Sequence, residues 1–110
     1  MSTVFKFQIT PEPGAFTVDM PAGANIIAVR VQGNAPMLYA EVDPAAPRED
    51  VRLVNVYTGD TIDRTRHVYV GTWQIESANP LLPFLVGHVY LEVVRDTPAR
   101  AEAGAVAAAR

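Results

Sequence analysis

The chain has 110 residues, 49% of them hydrophobic and 19% charged, a formal charge of −3 and no cysteine. That length suits one domain, which can bury about two-thirds of its unfolded surface without covalent staples. Disulfides and thiolate metal sites are excluded, and the acidic balance argues against electrostatic capture of nucleic-acid phosphates.

Apolar and polar residues alternate with a period of two along almost every candidate element, the pattern of half-buried β-strands. Phe5, Phe7 and Ile9 interleave with Lys6 and Gln8. After Pro11-Glu12-Pro13-Gly14, whose dihedral preferences suit a reversal, Phe16, Val18 and Met20 interleave with Thr17 and Asp19. Pro21-Ala22-Gly23 closes that strand, and in the next Ile27, Val29 and Val31 alternate with Ala28, Arg30 and Gln32. Gly33-Asn34 predicts a hairpin turn because both residues tolerate positive φ, and Pro36 then opens a strand over Met37–Val42.

A polar loop is predicted over Asp43–Asp50, a fifth strand over Val51–Tyr57 and a second long loop over Thr58–Arg66. His67–Glu76 and Phe84–Val94 complete the set, divided by a loop carrying Pro80 and Pro83. The expected fold is all-β: about seven antiparallel strands in a small β-sandwich or partly closed barrel, occupying residues 1–96. Residues 97–110 form an alanine-rich C-terminal tail without a large apolar side chain to anchor a helix.

Two strands carry apolar residues on both faces. Phe84, Val86, His88 and Tyr90 lie opposite Leu85, Gly87, Val89, Leu91 and Val93, and Val54 and Val56 lie opposite Val51, Leu53 and Tyr57. A sheet normally wets one face, so the face carrying Phe84, Val86, His88, Tyr90, Val54 and Val56 needs a cover. A subunit partner, the tail or a long loop could supply it. The six residues are therefore the candidate interface of an expected homo-oligomer. The core is expected to gather Phe5, Phe7, Val29, Val31 and Leu91 around Trp73, with Gly71 making room for the indole or marking a bulge.

Candidate chemistry is sparse. His67 and His88 sit on different strands without a donor set around them, so no metal or catalytic role is expected for either. Asp60 and Asp63 form the densest acidic pair on a loop, and Asx-turn chemistry accounts for them without calcium. Ser2 and Ser77 lack a nucleophile motif. Tyr39, Tyr57, Tyr69, Trp73 and Tyr90 could offer stacking surfaces to bases, but Arg52, Arg64 and Arg66 are offset by Asp60 and Asp63. Core packing and hydroxyl anchoring are the expected roles. No enzyme activity, cofactor, metal or nucleic-acid partner is expected. No apolar run reaches the ~18 residues of a membrane span, and the N-terminus lacks signal-peptide zones.

Several segments together resemble a family of small uncharacterised bacteriophage and prophage proteins. They are Val4-Phe5-Lys6-Phe7, Thr17–Ala24, Val29-Arg30-Val31-Gln32 and the Glu41-Val42-Asp43-Pro44 corner. Tyr57-Thr58-Gly59 with Ile62-Asp63, Tyr69–Gln74 and Gly87–Glu92 follow in the same order and spacing. The resemblance covers about residues 4–93 and implies a phage gene product with a single β-rich domain, located in the host cytoplasm or the virion. It carries no activity over to any residue. The expected function is a non-enzymatic, self-associating protein-interaction module whose further partner is a phage capsid or host protein. The alternatives are a virion component such as a capsid decoration protein, and a sponge or inhibitor that sequesters a small ligand or blocks a host protein.

Overall fold

The structure, a computed structural model, describes residues 1–93; the predicted tail and the boundary at residue 96 lie outside the described residues. In chain order the strands are β1 (Thr3–Gln8), β2 (Gly14–Pro21), β3 (Asn25–Gln32), β4 (Ala35–Val42), β5 (Arg48–Tyr57), β6 (His67–Glu76) and β7 (Phe84–Glu92). They form a three-stranded sheet ordered β1-β4-β3 and a four-stranded sheet ordered β2-β5-β7-β6. Every paired neighbour is antiparallel. The all-β sandwich expected from the alternation is thus what forms. Among the described residues no helix is long and apolar enough to cross a membrane.

The inner faces meet in a core of Ile9, Val29, Leu38, Leu53, Trp73, Ile75 and Val89. Phe7 and Leu91 pack against this cluster as expected, but Phe5 and Val31 are not part of it. For Val31 the reason is local to β3. Pairing with β4 shifts between Ile26 and Ala28, so Ile27 is the extra residue of a bulge and is thrown outward. Ile26 and Val29 then face inward, while Val31 pairs with Pro36 at the hairpin end and stays exposed.

Gly71 likewise has a different neighbour from the one expected. It follows a bulge in β6, and the side chain it admits is Val29, whose Cγ2 would lie 2.7 Å from an added Cβ. Room for the indole of Trp73 comes from Gly87, its partner across the β6–β7 ladder.

The predicted loop over Asp43–Asp50 is shorter than its polarity suggests. β5 begins at Arg48, where Arg48, Glu49 and Asp50 pair with Pro21, Met20 and Asp19 of β2. These ladder positions have exposed side chains, so no apolar residue marks them in the sequence. The Gly33-Asn34 turn forms as expected, with φ of 59° and 57°.

β5 and β6 both pair antiparallel with β7 from opposite sides, so they run parallel to each other. The loop 58–66 is consequently a crossover and not a hairpin. It passes over the side of the sheet turned away from the core, since Thr58 Oγ1 reaches the outward-facing ring of His88.

Candidate functional site

Alternation along β5 and β7 turns Leu53, Asn55, Val89 and Leu91 inward and leaves Val54, Val56, Val86, His88 and Tyr90 on the outer face, with Phe84 at its end. The register aligns Val54 with Tyr90 and Val56 with His88, so all six candidate interface residues share one surface. They are not equally accessible. Val56 retains only 6% of its exposure, whereas Phe84 retains 51%.

The middle of this face is a hydroxyl–imidazole network. His88 Nε2 lies 3.0 Å from Thr58 Oγ1, and its Nδ1 lies 3.0 Å from Thr72 Oγ1. Thr72 Oγ1 is in turn 2.6 Å from the hydroxyl of Tyr69, whose ring meets Tyr90 edge-on at 5.5 Å. Both ring nitrogens of His88 are therefore engaged within the fold. At one end the face is charged: Arg52 Nε donates to Glu92 Oε2 at 2.7 Å, and Arg66 Nη2 approaches the other carboxylate oxygen at 3.9 Å.

The crossover organises its own acids. Asp60 Oδ2 accepts from the Tyr57 backbone N–H at 3.2 Å. Asp63 Oδ1 accepts from the backbone N–H and the hydroxyl of Thr65, at 2.9 and 2.6 Å. Those two bonds hold the Asp63 carboxyl below the usual carboxylate range, with Arg66 and His67 adding to the effect. His67 Nδ1 donates to the Asp63 carbonyl at 2.9 Å. Asp63 thus makes the expected Asx turn with Thr65, whereas Asp60 reaches back three residues to the N–H of Tyr57. Among the described residues no three His, Asp or Glu side chains converge as a metal site would require.

Beside the crossover runs an open groove of about 320 Å³, whose lining includes Pro13, Val54, Val56 and Ile62 with Asp63 and His67. The opposite end of the face is apolar and projecting. The β6–β7 loop exposes Leu81 at 92% and Leu82 at 52%, adjoining Phe84. It is held in shape by Ser77 N–H to Pro83 O at 2.8 Å, Leu82 N–H to Asn79 O at 3.0 Å and Leu81 N–H to Asn79 Oδ1 at 3.0 Å.

Sequence reasoning missed Leu81 and Leu82. The available signal was the run from Ser77 to Leu91, which contains no Asp, Glu, Lys or Arg. The aromatic residues do not form one stacking platform. Trp73 and Tyr57 meet edge-on on the core side, Tyr69 and Tyr90 lie on the outer face, and Tyr39 belongs to the other sheet.

A protein-family model described as "Domain of unknown function (DUF7352)" matches residues 1–99, a span that takes in all seven strands. The chain belongs to the DUF7352 family. Nothing among curated proteins or solved structures matches it. In this DUF7352 domain the outer face of the four-stranded sheet therefore has to be interpreted from its own geometry: charged at one end, bridged by a loop in the middle, apolar and projecting at the other.

Proposed function

We propose that this protein is a non-enzymatic interaction and assembly module that self-associates through the apolar end of its outer face. The observation that carries this reading is the adjacency of Leu81, Leu82 and Phe84, all more than half exposed, at the end of a face that includes half-buried Val86. Exposed apolar residues grouped in one place mark interaction surfaces far more often than singly scattered ones do.

A non-enzymatic role is supported by the engagement of both His88 nitrogens and of Asp60 and Asp63 in bonds that shape the fold. The resemblance to phage and prophage proteins supports a phage setting, in the host cytoplasm or the virion. Sedimentation of the purified chain tests self-association. A dimer or larger closed oligomer is expected, and Phe84→Glu with Val86→Glu should return it to monomer while circular dichroism stays β-rich. A wild-type monomer at high concentration would refute the reading. Mass spectrometry of purified virions then separates a particle component, such as a capsid decoration protein, from one acting in the infected cell.

A further inference from the structure

We infer that β2 of one copy pairs antiparallel with β2 of a second copy, Thr17 opposite Thr17, across a twofold axis that joins their sheets edge to edge. This contact is separate from the apolar end and goes beyond the reading above. Its first support is what the other sheet edges carry. A bare edge invites pairing, and proteins blunt it with lysine, bulges, short length or a cover. β3 and β6 lie against each other, through Val29 on Gly71 and the Asn34 side chain on the Glu76 backbone, and both are bulged. β1 has six residues and carries Lys6. β2 has eight residues in unbroken register with β5, no bulge and no basic side chain. Its one charge, Asp19, is ion-paired to Arg48 at 3.4 Å.

The second support is the direction of the β2 backbone. Ala22 N–H donates to the Pro47 carbonyl at 2.7 Å. Alternate residues of a strand turn their backbone groups the same way, so Phe16, Val18 and Met20 address β5. Ala15, Thr17 and Asp19 then address the open edge, where their side chains are exposed. The Asp19 carbonyl agrees: it accepts from Arg48 Nη2 at 2.8 Å and keeps a second lone pair. Pro13 and Pro21 are in phase with this set and bring no N–H to the edge. The free groups are thus symmetric about Thr17, with Ala15 and Asp19 on either side and a proline beyond each. With Thr17 opposite Thr17, each N–H of the window meets a carbonyl and proline falls beside proline. A shift of two residues sets a proline opposite Ala15 or Asp19 and forfeits hydrogen bonds. A second copy carries the matching pattern of donors and gaps by construction.

Side chains agree with that register. Phe16 falls opposite Val18 on the core side and Thr17 opposite Thr17 on the outer side, both favourable cross-strand pairs. Phe16 and Val18 pack against the core yet stay half-buried, so the added strand covers apolar surface. Asp19 falls opposite Ala15, and no like charges meet. One strand pair buries less than the ~1,200 Å² of a standard interface, so the contact is weak in dilute protein and is read by trapping it.

The cysteine-free chain lets a disulfide report the register. In this pairing the two Thr17 α-carbons lie about 5.5 Å apart, within a disulfide's span. Two Ala15 residues lie about 13 Å apart along the strands, since each faces Asp19. On oxidation of concentrated protein, Thr17→Cys should cross-link at least tenfold faster than Ala15→Cys or Asp19→Cys alone. An equal mixture of the last two should match Thr17→Cys. All three positions are exposed, so circular dichroism should stay that of the wild type. Thr17→Cys cross-linking no faster than Ala15→Cys overturns the inference, whether the edge is bare or taken by another strand. Phe84 and Val86 sit on β7, with β5 between it and β2. Adding Phe84→Glu and Val86→Glu to Thr17→Cys should therefore leave the cross-link intact, and its loss would overturn a contact independent of the apolar end.

Discussion

The indole of Trp73 occupies the space that a side chain at Gly87, its cross-strand partner, would fill; an added Cβ would lie 2.8 Å from the indole Nε1 and closer still to the ring carbons. Gly87 is therefore part of the binding pocket for the largest side chain of the core. Gly87→Ala should destabilise the domain by about 1–3 kcal/mol through overpacking, measured by urea unfolding. Trp73→Ala should cost about 3–5 kcal/mol through the cavity it leaves. The two should be strongly non-additive, because the alanine at position 87 offends only when the indole is present.

Asn55 is the buried polar residue of the core, at 2% exposure. Its Oδ1 accepts from Trp73 Nε1 at 3.2 Å, and its Nδ2 donates to the carbonyls of Thr10 and Glu12 at 2.7 and 2.9 Å. It thus ties β5 to the segment by which the chain passes from one sheet to the other. Asn55→Leu should cost about 2–4 kcal/mol, since two carbonyls and an indole N–H lose their partner. Asn55→Asp adds a pH dependence. Burial raises a carboxyl pKa above its unfolded value, so the folded state binds the extra proton and stability falls as pH rises above about 4. Urea midpoints at pH 4 and pH 7 compare the two directly.

Tyr57 donates its hydroxyl to the Pro11 carbonyl on that same segment. Desolvation raises its pKa above the ordinary tyrosine value, with Glu12 and Asp60 adding to the effect. The folded chain therefore holds this proton at a pH where the unfolded chain has lost it. The contribution is intact below pH ~10 and is lost as pH climbs from there through the folded-state pKa. Tyr57→Phe should lower stability at neutral pH and show a smaller further loss between pH 9 and pH 11 than the wild type does.

The side-chain amide of Asn34 pairs with the backbone of Glu76 in both directions, accepting its N–H at 2.8 Å and donating to its carbonyl at 3.0 Å. A turn residue of one sheet thereby occupies the free edge of the other. Asn34→Gly keeps the positive φ and loses the clasp, at about 1–2 kcal/mol. Asn34→Ala should cost about 1 kcal/mol more, the penalty of that backbone conformation for a residue with a Cβ. Faster amide exchange at Glu76 in both variants checks that the clasp is what was lost.

Strand content was legible because each element buries one face of a pleated sheet, and Phe16, Val18 and Met20 or Leu53 and Tyr57 announce that face directly. The turn at Gly33-Asn34 was legible because the backbone there demands residues that accept positive φ. Ile27 was misplaced because a bulge changes phase without changing composition. Arg48–Asp50 looked like loop because their contribution to the sheet is made by backbone alone. Asn55 left a usable trace, a polar residue in phase with the inward Leu53 and Tyr57. Strand order left none: β5, a loop and β6 look like a hairpin, and only the pairing of both with β7 shows otherwise. A long loop is one of the covers the sequence allows for Val56 and His88, but only the strand order shows that loop 58–66 supplies part of it. Leu81 and Leu82 went unweighted because proline-flanked loop residues lie outside any periodic pattern.

The crossover between β5 and β6 has a consequence for biosynthesis. β7 is synthesised last among the described strands, yet it fills the slot between two strands made before it. Until it leaves the ribosome, β6 has no neighbour in its sheet, and Trp73 and Ile75 hang from a strand that cannot pair. A nascent chain halted in the β6–β7 loop would expose sticky surface and a bare backbone edge together, the combination that recruits chaperones or forms aggregates. Folding of the domain is therefore held back until β7 has been made, and truncation before Phe84 should yield insoluble material instead of a smaller domain.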